Sequence, residues 1–92
     1  MSSEVIARRL LIRGRVQGVF FRDSVRRAAR REGVSGWALN RDDGAVEVRL
    51  EGPPEAVERM IEFCREGPPR ARVEHVDIND TVPEGAHGFE IR

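Results

Sequence analysis

The chain's 92 residues suffice for one domain and leave no room for a second core; a domain of this size buries roughly 60–68% of its unfolded surface. Its single Cys64 excludes an internal disulfide and a zinc site built from several cysteines, and no apolar run approaches the roughly 18 residues of a membrane span or forms a signal-peptide core. Formal charge is zero, yet residues 1–41 hold ten Arg against three acids (+7) and residues 42–92 hold six against thirteen (−7), so the first half can build an anion-binding face.

Residues 5–13 alternate as a strand, with Ile6, Leu10 and Ile12 on one face and Ala7 and Leu11 on the other. Gly14 and Gly18 then bracket a loop. From Phe21 the spacing turns helical: Phe21, Val25, Ala28 and Ala29 share a face, and Gly33 supplies a stop. Residues 34–40 read as a second strand, followed by the tight turn Arg41-Asp42-Asp43-Gly44. In the third strand Val46, Val48 and Leu50 alternate with Glu47, Arg49 and Glu51. Gly52-Pro53-Pro54 breaks it and opens a second helix, because proline suits the first helical turn. Val57, Met60, Ile61 and Cys64 recur at helical spacing until Gly67-Pro68-Pro69. A fourth strand covers residues 70–79, and its apolar phase shifts between Val73 and Val76, which predicts a bulge near Glu74-His75. A short strand at residues 88–91 closes the chain.

The order β-α-β-β-α-β predicts an α+β, ferredoxin-like split β-α-β fold: an antiparallel sheet of four to five strands, order 4-1-3-2, with both helices on one face. Right-handed crossovers make strands 1 and 2 parallel, with strand 3 between them. The loop after strand 1, the start of the first helix and the end of strand 2 therefore emerge together. Strands 1 and 2 lie roughly 9–10 Å apart, within reach of a long side chain.

That common end gathers the candidate residues. A two-glycine loop from strand to helix can curl its backbone N–H groups around a phosphate-sized anion, and the helix adds its positive dipole end. Arg22 at the helix start can fork onto two phosphate oxygens. The same glycines also suffice merely to make a turn, and no Lys-Ser/Thr pair follows as in a Walker A loop. Asn40 ends the strand parallel to strand 1; its amide can hold a water beside an anion, or simply open the hairpin turn. His75 and His87 lack metal-ligand spacing and read as surface residues. Cys64 falls on an apolar helical stripe, and Trp37 reads as a packing residue of strand 2.

The segment Gly14-Arg15-Val16-Gln17-Gly18-Val19-Phe20-Phe21-Arg22 resembles the first signature of the acylphosphatase family, a G-x-V-Q-G-V-x-F-R loop. Gly36-Trp37-Ala38-Leu39-Asn40, followed by Gly44, Val46 and Gly52, is similar to the second, departing from the usual pattern at Leu39. The resemblance runs through Gly67-Pro68-Pro69-Arg70-Ala71-Arg72-Val73 and covers nearly the whole chain. It implies a ferredoxin-like fold and hydrolysis of carboxyl-phosphate anhydrides to a carboxylate and inorganic phosphate. By the same resemblance Arg22 matches the phosphate-binding arginine and Asn40 the asparagine that positions the attacking water. Arg15, Val16, Gln17, Gly18, Val19, Phe20 and Phe21 match the substrate-binding cradle. Neither metal nor cofactor is implied.

Two other readings compete. A non-catalytic module on the same fold would bind acyl or carbamoyl phosphate without turnover. RNA binding would need spaced aromatics on the central strands, which present Val, Glu, Arg, Leu and Ile instead. The expectation is a single 1–92 domain, monomeric and cytoplasmic, acting on a small acyl phosphate, with no nucleic-acid or membrane partner.

Overall fold

The computed structural model describes residues 4–92; Met1, Ser2 and Ser3, part of the expected 1–92 domain, lie outside them. Seven elements follow in the expected order: β1 (Ile6–Arg15), α1 (Phe21–Glu32), β2 (Ser35–Asn40), β3 (Val46–Gly52), α2 (Pro54–Glu66), β4 (Arg72–Thr81) and β5 (Phe89–Ile91). The sheet order is β4-β1-β3-β2-β5. β3 lies antiparallel to both β1 and β2, and β4 antiparallel to β1, as the split β-α-β reading required. β5 adds a fifth strand whose place the sequence did not specify. It runs parallel to β2, through Gly36↔Phe89 and Ala38↔Ile91, so the sheet is mixed.

Alternation builds the core. Leu10 and Ile12 of β1 pair with Val48 and Val46 of β3, and Ala38 of β2 also pairs with Val48, placing all five on the face beneath the helices. Against them pack Val25, Ala28 and Ala29 of α1 and Val57, Met60, Ile61 and Cys64 of α2. Each large apolar side chain so buried contributes about 1.5–3 kcal/mol. Burial pushes the Cys64 thiol up to about 12, so it stays a neutral packing group. His75 and His87 are exposed, as expected, and Trp37 is half-buried beneath the Arg92 guanidinium, 4.9 Å from the ring centroid.

β1 runs two residues beyond its expected end. Gly14 and Arg15 pair with Val73 and Arg72 across a register shift, leaving Glu74 as the extra residue on β4 at the predicted bulge. The backbone therefore stays in the sheet through Arg15, and the free loop is residues 16–20. α1 begins at Phe21 and ends on Gly33, whose left-handed φ of 71° turns the chain so that the Val34 N–H reaches back to the Ala29 carbonyl at 2.8 Å. α2 is capped by Pro53 and begins at Pro54, where a missing N–H costs nothing.

Candidate active site

Pairing register explains why one end of the sheet holds the candidate residues. Ile12 of β1 and Asn40 of β2 both pair with Val46, so the end of β1 and the end of β2 stand on either side of the start of β3. Residues 16–20 leave β1 there and turn sharply into α1. The turn uses two left-handed residues, Gly18 (φ 74°) and Phe20 (φ 60°). Glycine adopts that region freely; phenylalanine does not, and backbone strain of order 1–3 kcal/mol is characteristic of functional loops. Phe20 is nonetheless the residue that caps α1, and it is 72% exposed.

The loop, Arg22 and Asn40 line one cavity of about 300 Å³, with Val16, Gly18, Phe20 and Phe21 forming the loop side. Asp23 and Ile91 complete the wall; neither was singled out from sequence. Asp23 carried a signal, an acid in the first turn of a helix. Its carboxylate is taken by Arg26 at 2.8 Å and Arg27 at 3.3 Å. Ile91 carried none, because three residues of strand have no readable partner. β5 delivers it, and the next residue's carbonyl accepts a hydrogen bond from Arg22 Nη1 at 3.0 Å. That bond fixes the guanidinium and leaves its other N–H donors free to face the cavity.

Three of the seven candidate cradle residues stand elsewhere. Arg15 belongs to β1 and is exposed, while Val19 is turned into the core. Gln17 has a different task for its side chain. Its amide nitrogen donates to the Arg41 carbonyl at 2.8 Å and the Ala45 carbonyl at 3.0 Å, so both amide hydrogens are committed. These bonds tie the loop to both sides of the β2–β3 turn that carries Asn40. The turn is itself braced: Asp43 accepts from the Ala45 N–H at 3.1 Å, and Arg41 pairs with Asp43 at 3.3 Å and Glu47 at 3.2 Å. The Ala45 N–H, helped by Arg41 and Arg13, holds the Asp43 carboxyl below its ordinary range. Asn40 is exposed, and its amide has no hydrogen-bond partner among the described residues. Leu39, alternating with it, pairs with Glu47 on the opposite face of the sheet.

Chemically the cavity offers a fixed guanidinium, an amide, the N–H groups of a left-handed loop and the positive end of α1. All of these suit an anion with a neutral nucleophile beside it. Among the described residues no three His, Cys, Asp or Glu side chains gather as metal ligands.

Comparison with known proteins identifies the family. The family model for acylphosphatase matches residues 8–91. An acylphosphatase from Natronomonas pharaonis is 50% identical over 90 residues, covering 98% of each chain. One from Gloeobacter violaceus is 53% identical over 78 residues, 85% of this chain and 84% of its own. The structure of an acylphosphatase from Coxiella burnetii superposes with a TM-score of 0.93 at 34% identity over 100% of both chains. A match over this span, with relatives at about half identity along most of their length, means that the chain belongs to the acylphosphatase family, enzymes that hydrolyse acyl phosphates.

Proposed function

We propose that residues 1–92 form one domain that hydrolyses acyl phosphates without a metal, with Arg22 holding the phosphoryl group and Asn40 holding the attacking water. The observation that carries this reading is the convergence of Arg22, Asn40 and the loop of residues 16–20 on one cavity. Phosphoryl oxygens take the loop N–H groups and the free donors of Arg22; a water accepts from or donates to the Asn40 amide. The water oxygen bonds to phosphorus while the bond from phosphorus to the acyl oxygen breaks. The electron pair of that bond leaves on the carboxylate, and the water's proton passes to a phosphoryl oxygen, so the products are a carboxylate and inorganic phosphate. Such transfers pass through a loose transition state, so positioning and charge stabilisation supply most of the catalysis. A carboxylate is a good leaving group and needs no strong general acid. Asp23, engaged by two arginines, is accordingly given no proton-transfer role.

The same reading makes the protein a cytoplasmic monomer whose partner is a small molecule, with no nucleic-acid or membrane partner. One continuous hydrophobic core supports the single domain. Among the described residues no helix is long and apolar enough to cross a membrane. Hydrolysis in ¹⁸O-labelled water tests the chemistry: the account expects the label in inorganic phosphate. Label in the carboxylate would mean attack at the carbonyl carbon and would overturn the assignment of Asn40.

A further inference from the structure

Beside the cavity lies a second, open groove of about 350 Å³ that shares Phe20 and Asp23 with it. Its far side is the segment Pro68-Pro69-Arg70, which leads directly into β4. We propose that this groove receives the acyl half of the substrate, and that Phe20 and Pro69 set a preference for aromatic acyl groups. The inference rests on the placement of the attacking water at Asn40 and deepens that reading.

In phosphoryl transfer the attacking and leaving oxygens stand roughly in line through phosphorus. Asn40 lies on β2. The groove lies at the start of β4, and the sheet order β4-β1-β3-β2 sets these two on opposite sides of the loop that leaves β1. Both are at the same end, since Arg15 pairs with Arg72 while Ile12 and Asn40 share Val46. A group departing away from Asn40 therefore moves toward Pro68 and Pro69.

Phe20 is held in a left-handed conformation and stands exposed at the boundary between the two hollows. Core packing does not account for an aromatic side chain placed this way. Opposite it, two prolines present rigid apolar faces with fixed φ. The Ala71 N–H donates to the Pro68 carbonyl at 2.9 Å, closing their turn. A Cβ at Gly67 would come within 3.0 Å of the Phe21 ring, so this turn is seated closely against the start of α1. Arg27 and Arg70 flank the groove, and Arg70 has no carboxylate partner among the described residues. Guanidinium planes stack on aromatic rings, so the rim suits a flat ring as well as the floor does.

The test compares kcat/KM for benzoyl phosphate and acetyl phosphate in the wild type, Phe20→Ala, Pro69→Ser and Asn40→Ala. The benzoyl-to-acetyl ratio is expected to fall about fivefold in Phe20→Ala, the worth of one stacked aromatic contact, and in the same direction in Pro69→Ser. The loss is expected mainly in KM for benzoyl phosphate. Asn40→Ala is expected to lose both substrates equally. Ratios unchanged in both groove variants, while Asn40→Ala is impaired, would overturn the groove alone. Full turnover in Asn40→Ala would overturn the water's placement and the directional argument with it.

Discussion

A Cβ at Gly14 would stand 2.1 Å from the Arg72 carbonyl oxygen and 2.9 Å from the Glu74 nitrogen, at a φ of +129°. At Gly18, φ is +74° and nothing lies within 4 Å of the same hypothetical atom. The two glycines of the signature loop therefore answer different needs: Gly14 lets β1 pass close to the β4 bulge, and Gly18 bends the chain toward α1. Gly14→Ala is expected to cost about 3 kcal/mol and lower Tm by roughly 15 °C. Gly18→Ala is expected to cost only about 1 kcal/mol, the ordinary penalty of a left-handed alanine. Thermal unfolding of both variants checks this, and equal losses would contradict it. At this scale Arg22 and Asn40 were legible, because helix start and strand end follow from periodicity. Gln17 was legible only as a loop residue. Its side-chain bonds reach carbonyls 24 and 28 residues away, a contact that only the folded turn creates.

The connection from β4 to β5 is the element that periodicity could not place. Residues 82–88 have no regular pattern, and a three-residue strand has no reading frame of its own. What positions them is the face of β3 turned away from the helices. Glu51 accepts hydrogen bonds from the backbone N–H groups of Glu84 at 3.0 Å, Gly85 at 2.7 Å and Ala86 at 3.1 Å. Arg49 donates to Thr81 Oγ1 at 3.2 Å and to the Val82 carbonyl, and pairs with Glu84 at 3.0 Å. Glu47, Arg49 and Glu51, the polar side of that alternation, are all buried: the strap covers Arg49 and Glu51, while Arg9 and Arg41 close over Glu47. Burial alone would push the Glu51 carboxyl up; the three N–H donors outweigh it and hold the group below its ordinary value of 4.5. A depressed carboxyl stabilises the fold above its unfolded pKa, and that contribution is lost as pH falls through the folded value. Tm is therefore expected to drop as pH is lowered from about 5 to about 3, and Glu51→Gln to shallow that slope while lowering Tm at neutral pH by a few degrees. Thermal melts across this range check it, and an identical slope in the variant would count against the strap. The remaining elements were legible to within two residues at each end, down to the Glu74 bulge, since each carries its own apolar period.

Across the whole molecule the charge asymmetry of the sequence is partly neutralised on folding. Of the ten arginines in the first half, Arg8, Arg9, Arg13, Arg26, Arg27 and Arg41 lie within ion-pair distance of Asp80, Glu47, Asp43 or Asp23. Most of these partners come from the acidic second half, which a count along the chain cannot reveal. Exposed pairs of this kind contribute about 0–1 kcal/mol each, but they neutralise the surface. Arg15, Arg22, Arg30 and Arg31 are left without an Asp or Glu partner among the described residues, and of these Arg22 alone lines the cavity. Arg22 is thus the one of these four placed to meet an anion in the cavity. The central claim is that this arginine, with Asn40, performs metal-free hydrolysis. The most direct measurement is steady-state hydrolysis of benzoyl phosphate in EDTA by the wild type, Arg22→Ala and Asn40→Ala, each with inorganic phosphate as a competitive inhibitor. The account predicts wild-type turnover in EDTA, and about a hundredfold or greater loss of kcat/KM in Arg22→Ala together with weakened phosphate inhibition. It predicts a loss of similar size in kcat for Asn40→Ala with phosphate inhibition retained. Near-normal turnover in either folded variant, or wild-type activity that requires an added divalent metal, would contradict it.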